Sequence, residues 1–179
     1  MSSSLDVKKA LAIVLYSPEA ISQVQSIRKD HDAAFQRWPP HINFVFPFPS
    51  LSDLDVTTRL ETLAKALQDF EPFDITLDTF DCFKRKRDAT VHLVPKVSGD
   101  FLSKLHQVII DSLGLPPPSR PFHPHLTVGQ WKKSKVEGAM RGLQTSFTPV
   151  TFRVSHLDFL KRGDDTPFMT HITIPLGSS

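Results

Sequence analysis

The sequence predicts an α+β fold of two similar lobes related by a pseudo-twofold axis, and three observations predict it. An order of strand, helix, histidine strand, helix and strand runs along the chain once and then again. Two segments match in kind: Pro40-His41-Ile42-Asn43 and Pro124-His125-Leu126-Thr127 each hold a proline, a histidine, an aliphatic residue and a small polar one. The two copies also keep step, because His41 follows the first helix by about ten residues and His125 follows Gly114 by eleven. At 179 residues the chain has room for one domain with a real core. The expectation is a single two-lobed domain over 1–179, with pseudo-repeats near 9–80 and 89–160 and a closing strand at 167–176.

Each element has its own signal. Ala10 to Tyr16 is an apolar run that reads as a buried strand. Ser17 is placed to cap a helix with Pro18 at its first position, and Ile21, Val24 and Ile27 form its apolar stripe, ending near His31. The first histidine strand covers His41 to Phe46, with Ile42, Phe44, Phe46 and Phe48 on its apolar face. Ser50 or Ser52 opens a second helix carrying Val56, Leu60, Leu63 and Leu67 at helical spacing. Phe73, Ile75 and Leu77 alternate with Asp74, Thr76 and Asp78 as in a half-buried strand, and Thr90 to Val94 makes another. Asp100 to Leu113 is a helix that Gly114 terminates. The second histidine strand runs from His123 to Gly129, and Ser134 to Glu137 reads as a capping box opening a helix through Leu143. Val150 to Leu160 and Phe168 to Ile174 close the chain as strands, with a bulge expected near Ser155 and His156.

Composition narrows the class. Hydrophobic residues at 40% and charged residues at 22% describe a globular chain. The net charge of +2 permits an anionic ligand without demanding nucleic acid. Lys84-Arg85-Lys86-Arg87 reads as a solvated hairpin tip, with an RNA contact or a nuclear signal as alternatives. Cys82 is the only cysteine, which excludes an internal disulfide and a cysteine zinc site. The first nine residues lack a basic n-region, and the seven-residue run Ala10 to Tyr16 is too short for a signal or a membrane span. A cytoplasmic monomer without a membrane segment is expected, or a nuclear one if the basic run is a signal.

Alternation in a strand puts His41 and Asn43 on one face and His125 and Thr127 on one face of the second strand, with Ile42 and Leu126 toward the core. Two such strands facing each other would set two imidazoles and two hydrogen-bonding groups around one small anion. One imidazole can give a proton while the other takes one, which suits in-line displacement at phosphorus. His41 and His125 are therefore the candidate catalytic residues.

These motifs resemble the two-histidine phosphoesterase superfamily, which includes the LigT-like 2′-5′ RNA ligases and 2′,3′-cyclic nucleotide phosphodiesterases. Its mark is two His-x-Thr or His-x-Ser copies some eighty residues apart. His125-Leu126-Thr127 matches fully, within Arg120 to Gly129, while His41-Ile42-Asn43 departs at Asn43, where a hydroxyl residue is usual. The resemblance implies a site between two antiparallel sheets. It also implies metal-free, cofactor-free hydrolysis of ribose 2′,3′-cyclic phosphates, on nucleotides or RNA ends, to 2′-phosphates. By motif position His41 would protonate the leaving ribose oxygen and His125 would deprotonate the water, or the reverse. Thr127 would bond a phosphate oxygen through its hydroxyl, and Asn43 through its amide. The alternatives are 2′-5′ ligase or esterase chemistry, trimming of RNA 3′ ends, and a non-catalytic nucleotide-binding module.

Other residues stay open at this level. Trp38 and Phe122 precede the histidine strands and are read either as rings that stack on a base or as core cover. His92 and His171 lie on the more polar faces of their strands, either lining the cleft or partly exposed. His123 shares the His125 face, but a three-histidine metal site with His41 would rest on parity alone, so no metal is expected. His31, His106 and His156 read as structural or surface residues, and Gln130 and Arg120 are candidates to reach phosphate.

Overall fold

The computed structural model describes residues 4–178. Along the chain come β1 (Leu5–Asp6), β2 (Lys9–Val14), α1 (Pro18–His31), β3 (His41–Val45), β4 (Phe48–Pro49) and α2 (Asp53–Ala66). After a 3₁₀ turn at Leu67–Asp69 follow β5 (Phe73–Lys84), β6 (Asp88–Lys96), α3 (Phe101–Ser112), β7 (Leu126–Lys132) and α4 (Val136–Ser146). The strands β8 (Val150–Val154), β9 (His156–Lys161) and β10 (Met169–Pro175) end the chain. None of the described helices is long and apolar enough to cross a membrane.

The fold is α+β, with two four-stranded antiparallel sheets in the orders β10-β9-β2-β3 and β7-β6-β5-β8. Edge strand β3 of the first sheet lies against edge strand β7 of the second. The sheets do not divide the chain at the halves 9–80 and 89–160. β5 pairs with β6 and β8 in the second sheet, while β9 pairs with β2 and β10 in the first. The reason is local: β5 and β6 are joined by a tight turn closed by Arg85 N donating to Asp88 O at 2.8 Å, so they must pair with each other.

Several expectations change with the coordinates. Val150 to Leu160 is two strands in two different sheets, with the chain crossing between them at Ser155 instead of bulging. The β7 ladder starts at Leu126, so His125 sits just before it. α4 starts at Val136 after Lys135 with no side-chain cap, so the Ser134 to Glu137 box does not form. α2 is capped as expected of Ser52, whose hydroxyl accepts from Asp55 N at 3.1 Å and donates to the Asp55 carboxylate at 2.7 Å. α3 ends before Gly114, whose φ of 60° is a left-handed turn that favours glycine.

The core explains why β2 is apolar from Ala10 onward. Leu11, Ile13 and Leu15 enter the main cluster with Ile42, Phe44, Leu126 and Val128. Ala10, Ala12 and Val14, on the other face, join a smaller cluster with Trp38, Leu160 and Phe168. Burying a Leu- or Phe-sized side chain contributes roughly 1.5–3 kcal/mol. The C-terminal end of α1 presses on β7 at Gly129, where a Cβ would lie 2.5 Å from His31 Cβ. Only glycine fits that approach.

Candidate active site

The two histidines share a local build. Pro40 and Pro124 each precede a histidine, and the residue before a proline is held extended. That sets the Pro39 carbonyl 2.7 Å from His41 Nδ1 and the His123 carbonyl 2.8 Å from His125 Nδ1. A carbonyl only accepts, so Nδ1 carries the proton in both rings and Nε2 is left as the working nitrogen. Strand parity does the rest on β3. Val14 pairs with His41 and Ala12 with Asn43, so both polar side chains stand on the face opposite Ile42 and Phe44. Asn43 Nδ2 lies 2.9 Å from His41 Nε2, and the amide donates to that nitrogen.

His41, Asn43 and Thr127 line one cavity of about 340 Å³ at the seam of the two sheets, together with Arg28, Asp32, Trp38, Phe46, Arg85, Thr90 and Gln130. His125 is not part of that wall. Its ring lies edge-on to Phe83 at 4.9 Å and to His92 at 5.4 Å, at the end of the same strand as Thr127. Its charge is nevertheless felt at His41. Burial pushes the His41 pKa from 6.5 down to about 4, and the Arg28 and His125 charges act in the same direction. The Pro39 carbonyl and Asp32 oppose them. The His125 pKa is also lowered, chiefly by burial and further by the His123 charge, against the bond to the His123 carbonyl.

The remaining candidates separate cleanly. Trp38 is 8% exposed, with the His41 ring at 4.3 Å and 19° and the Phe168 ring at 3.7 Å and 23°. Two rings so close to one indole centroid and so nearly parallel to it cannot share a face. Trp38 is sandwiched, so it seats His41 and has no free face for a base. Phe122 is a core ring, stacked on His106 at 4.0 Å and on Phe44 at 5.3 Å, on the side of β3 away from His41. The reading of either ring as a base platform is therefore corrected. His92 is fully buried, not partly exposed; it stacks on Phe83 at 4.3 Å, and neither ring nitrogen has a partner. Burial holds its pKa at about 4, aided by the His125 charge. His171 is exposed. Gln130 lines the cavity, but its amide is tied to the end of α1, accepting from Ala33 N at 3.0 Å.

Four site residues escaped sequence reasoning. Phe46 does not join the apolar face that strand parity predicts for it: β3 ends at Val45, and Phe46 stands 43% exposed at the cavity. Arg85 comes from the basic run, which is a hairpin tip as expected but borders the cavity. Thr90 is 8% exposed and its hydroxyl has no partner. Arg28 is 1% exposed and bonds Asp32 at 2.8 Å, Gln25 at 2.9 Å and the Trp38 carbonyl at 2.9 Å. A helical arginine four residues before an aspartate was its only sequence signal. Among the described residues, no three His, Cys, Asp or Glu side chains converge as metal ligands.

A model of the 2′-5′ RNA ligase superfamily matches residues 16–166. A Geobacillus kaustophilus protein named as a candidate phosphoesterase is 25% identical over 119 residues, covering 66% of this chain and 67% of its own. Among solved structures, Escherichia coli LigT complexed with 3′-AMP superposes with a TM-score of 0.66 at 20% identity, over 96% of this chain and 98% of LigT. Kluyveromyces marxianus Usb1 with uridine monophosphate gives 0.56 at 11% identity, over 95% and 99%. These structural likenesses show a shared fold.

Proposed function

The chain belongs to the 2′-5′ RNA ligase superfamily, and on that premise we propose that it is a phosphodiesterase that opens ribose 2′,3′-cyclic phosphates to 2′-phosphates. The observation that carries this reading is the single cavity that takes His41 and Asn43 from one sheet and Thr127 from the other. A cyclic phosphate in that cavity meets hydrogen-bond donors on the side of the second sheet and the neutral His41 imidazole on the side of the first. Thr127 and Thr90 supply hydroxyls, and Arg85 supplies positive charge.

The roles of the histidines follow from their surroundings. His41 rests neutral, with burial and the Arg28 charge against protonation and the Asn43 amide donating to Nε2. That favours His41 as the base, the reverse of the order that motif position suggests. The Asn43 amide lets go of His41 Nε2, whose freed lone pair takes a proton from water as the water oxygen bonds to phosphorus in line with the 3′-oxygen. The bond from phosphorus to the 3′-oxygen breaks, and that oxygen takes the Nε2 proton of His125 in its doubly protonated form, whose Nδ1–H stays on the His123 carbonyl. Asn43 Oδ1 is buried without a partner.

The test is incubation with the four 2′,3′-cyclic nucleotides and a 2′-5′ linked dinucleotide, in EDTA, with products read by phosphorus NMR. The expected product is the 2′-phosphate, formed undiminished in chelator. Activity confined to the 2′-5′ dinucleotide, or turnover that requires an added divalent metal, would overturn the proposal.

A further inference from the structure

We propose that two interlocked basic turns beside the cavity form a track for single-stranded RNA, so that the substrate is an RNA chain ending in the reactive phosphate rather than a mononucleotide. The proposal rests on the cyclic-phosphate reading above and extends it to the part of the substrate outside the cavity.

The turns run from Lys84, the last residue of β5, to Arg87 before β6, and from Lys132, the last residue of β7, to Lys135 before α4. They are held together by Lys133 N donating to Arg87 O at 3.1 Å and by the pairing of Asp88 with Lys132. Lys84, Arg85, Lys86, Arg87, Lys132, Lys133 and Lys135 are all exposed, and they make up a third of the 21 Lys and Arg in a chain of net charge +2. Lys84 is 3.6 Å from Glu137. Among the described residues, no carboxylate lies within ion-pair distance of the other six. A surface that concentrates unpaired cations in this way attracts a polyanion.

Its position says which polyanion. Arg85 belongs both to the track and to the cavity wall that holds His41 and Thr127, so the basic surface begins where the reacting phosphate sits. A 2′,3′-cyclic phosphate closes the 3′ end of a chain, so further nucleotides can extend only in the 5′ direction. Trp131, next to Lys132, stacks on the exposed ring of His31 at 4.3 Å and 30°. Phe46 stands open at the cavity. Cations along a backbone path with aromatic rings beside it are the elements that hold unpaired bases, which a duplex does not offer.

The experiment compares the wild type with the variant Lys86→Glu/Lys133→Glu/Lys135→Glu, none of whose sites lines the cavity. One arm measures binding of a 5′-fluorescent RNA of about eight nucleotides ending in a 3′-phosphate, by anisotropy over a range of salt. The other measures kcat/KM for uridine 2′,3′-cyclic phosphate and for the same RNA with a cyclic end. Each lost phosphate contact removes about 0.7 from the salt slope for a single strand. The variant should therefore lose about two units of slope, bind the RNA at least tenfold more weakly at low salt, and turn over the mononucleotide as the wild type does. An unchanged slope, an equal loss on both substrates, or equally tight wild-type binding of duplex DNA would overturn the track. The binding arm needs no turnover. An unmoved slope in an active enzyme refutes the track alone, and absent turnover on both substrates refutes the phosphodiesterase reading alone.

Discussion

Replacing Asn43 by threonine should raise the pKa of His41. The Asn43 amide donates to His41 Nε2 at 2.9 Å, and that bond exists only while the nitrogen is unprotonated. It stabilises the neutral ring and so holds the pKa down. A hydroxyl both donates and accepts, so Asn43→Thr removes the bias. A net hydrogen bond is worth about 0.5–1.5 kcal/mol. At 1.36 kcal/mol per unit the expected rise is about 0.4–1.1 units. Burial and the Arg28 and His125 charges remain, so His41 stays below its ordinary 6.5. Asn43→Asp sets the upper limit, because a carboxylate beside an imidazolium favours protonation by about 1–3 units. The assay is the pH titration of the His41 Cε1–H resonance in ¹H–¹³C correlation spectra, assigned with His41→Ala. In kinetics the acid limb of kcat/KM should move the same way. An unchanged or lowered pKa in Asn43→Thr would refute the idea that the amide donates to this ring.

The other expected outcomes concern the pair, the phosphate donors and the fold. His41→Ala and His125→Ala should each lower kcat by roughly a thousandfold or more, and the double variant little further, because acid and base act as one unit; additive losses would argue against coupling. Thr127→Ala should cost roughly 10²–10³ in kcat, and Asn43→Ala less, since its amide is spent on His41 and not aimed at phosphate. Stability should fall with acid. His41 and His92 are held neutral to about pH 4, whereas the unfolded rings protonate near 6.5. Their contribution is complete above about 6.5 and drains as pH drops toward 4, by about 3 kcal/mol for each ring. Urea midpoints at pH 7.5 and 4.5 measure the loss, and His92→Phe should flatten it.

What the chain determined by itself is local. Pro40-His41 and Pro124-His125 are legible because proline constrains the residue before it, and that constraint delivers a carbonyl to each Nδ1. The shared face of His41 and Asn43 is legible because strand parity has a period of two. The helical stripe of Leu60 and Leu63 and the turn at Gly114 follow from equally short-range rules. What the tertiary structure decided depends on which strand lies beside which. Ser155 as a crossing between sheets follows from ladders formed over long separations, β5 with β8 on one side of it and β2 with β9 on the other. Trp38 and Phe122 stand in similar sequence contexts, yet one seats His41 and the other packs on His106. Phe46, Thr90 and Arg85 share a wall with His41 only because two edge strands meet. No periodicity within a segment encodes that meeting; it is set by how two apolar sheet faces and four helices bury one another.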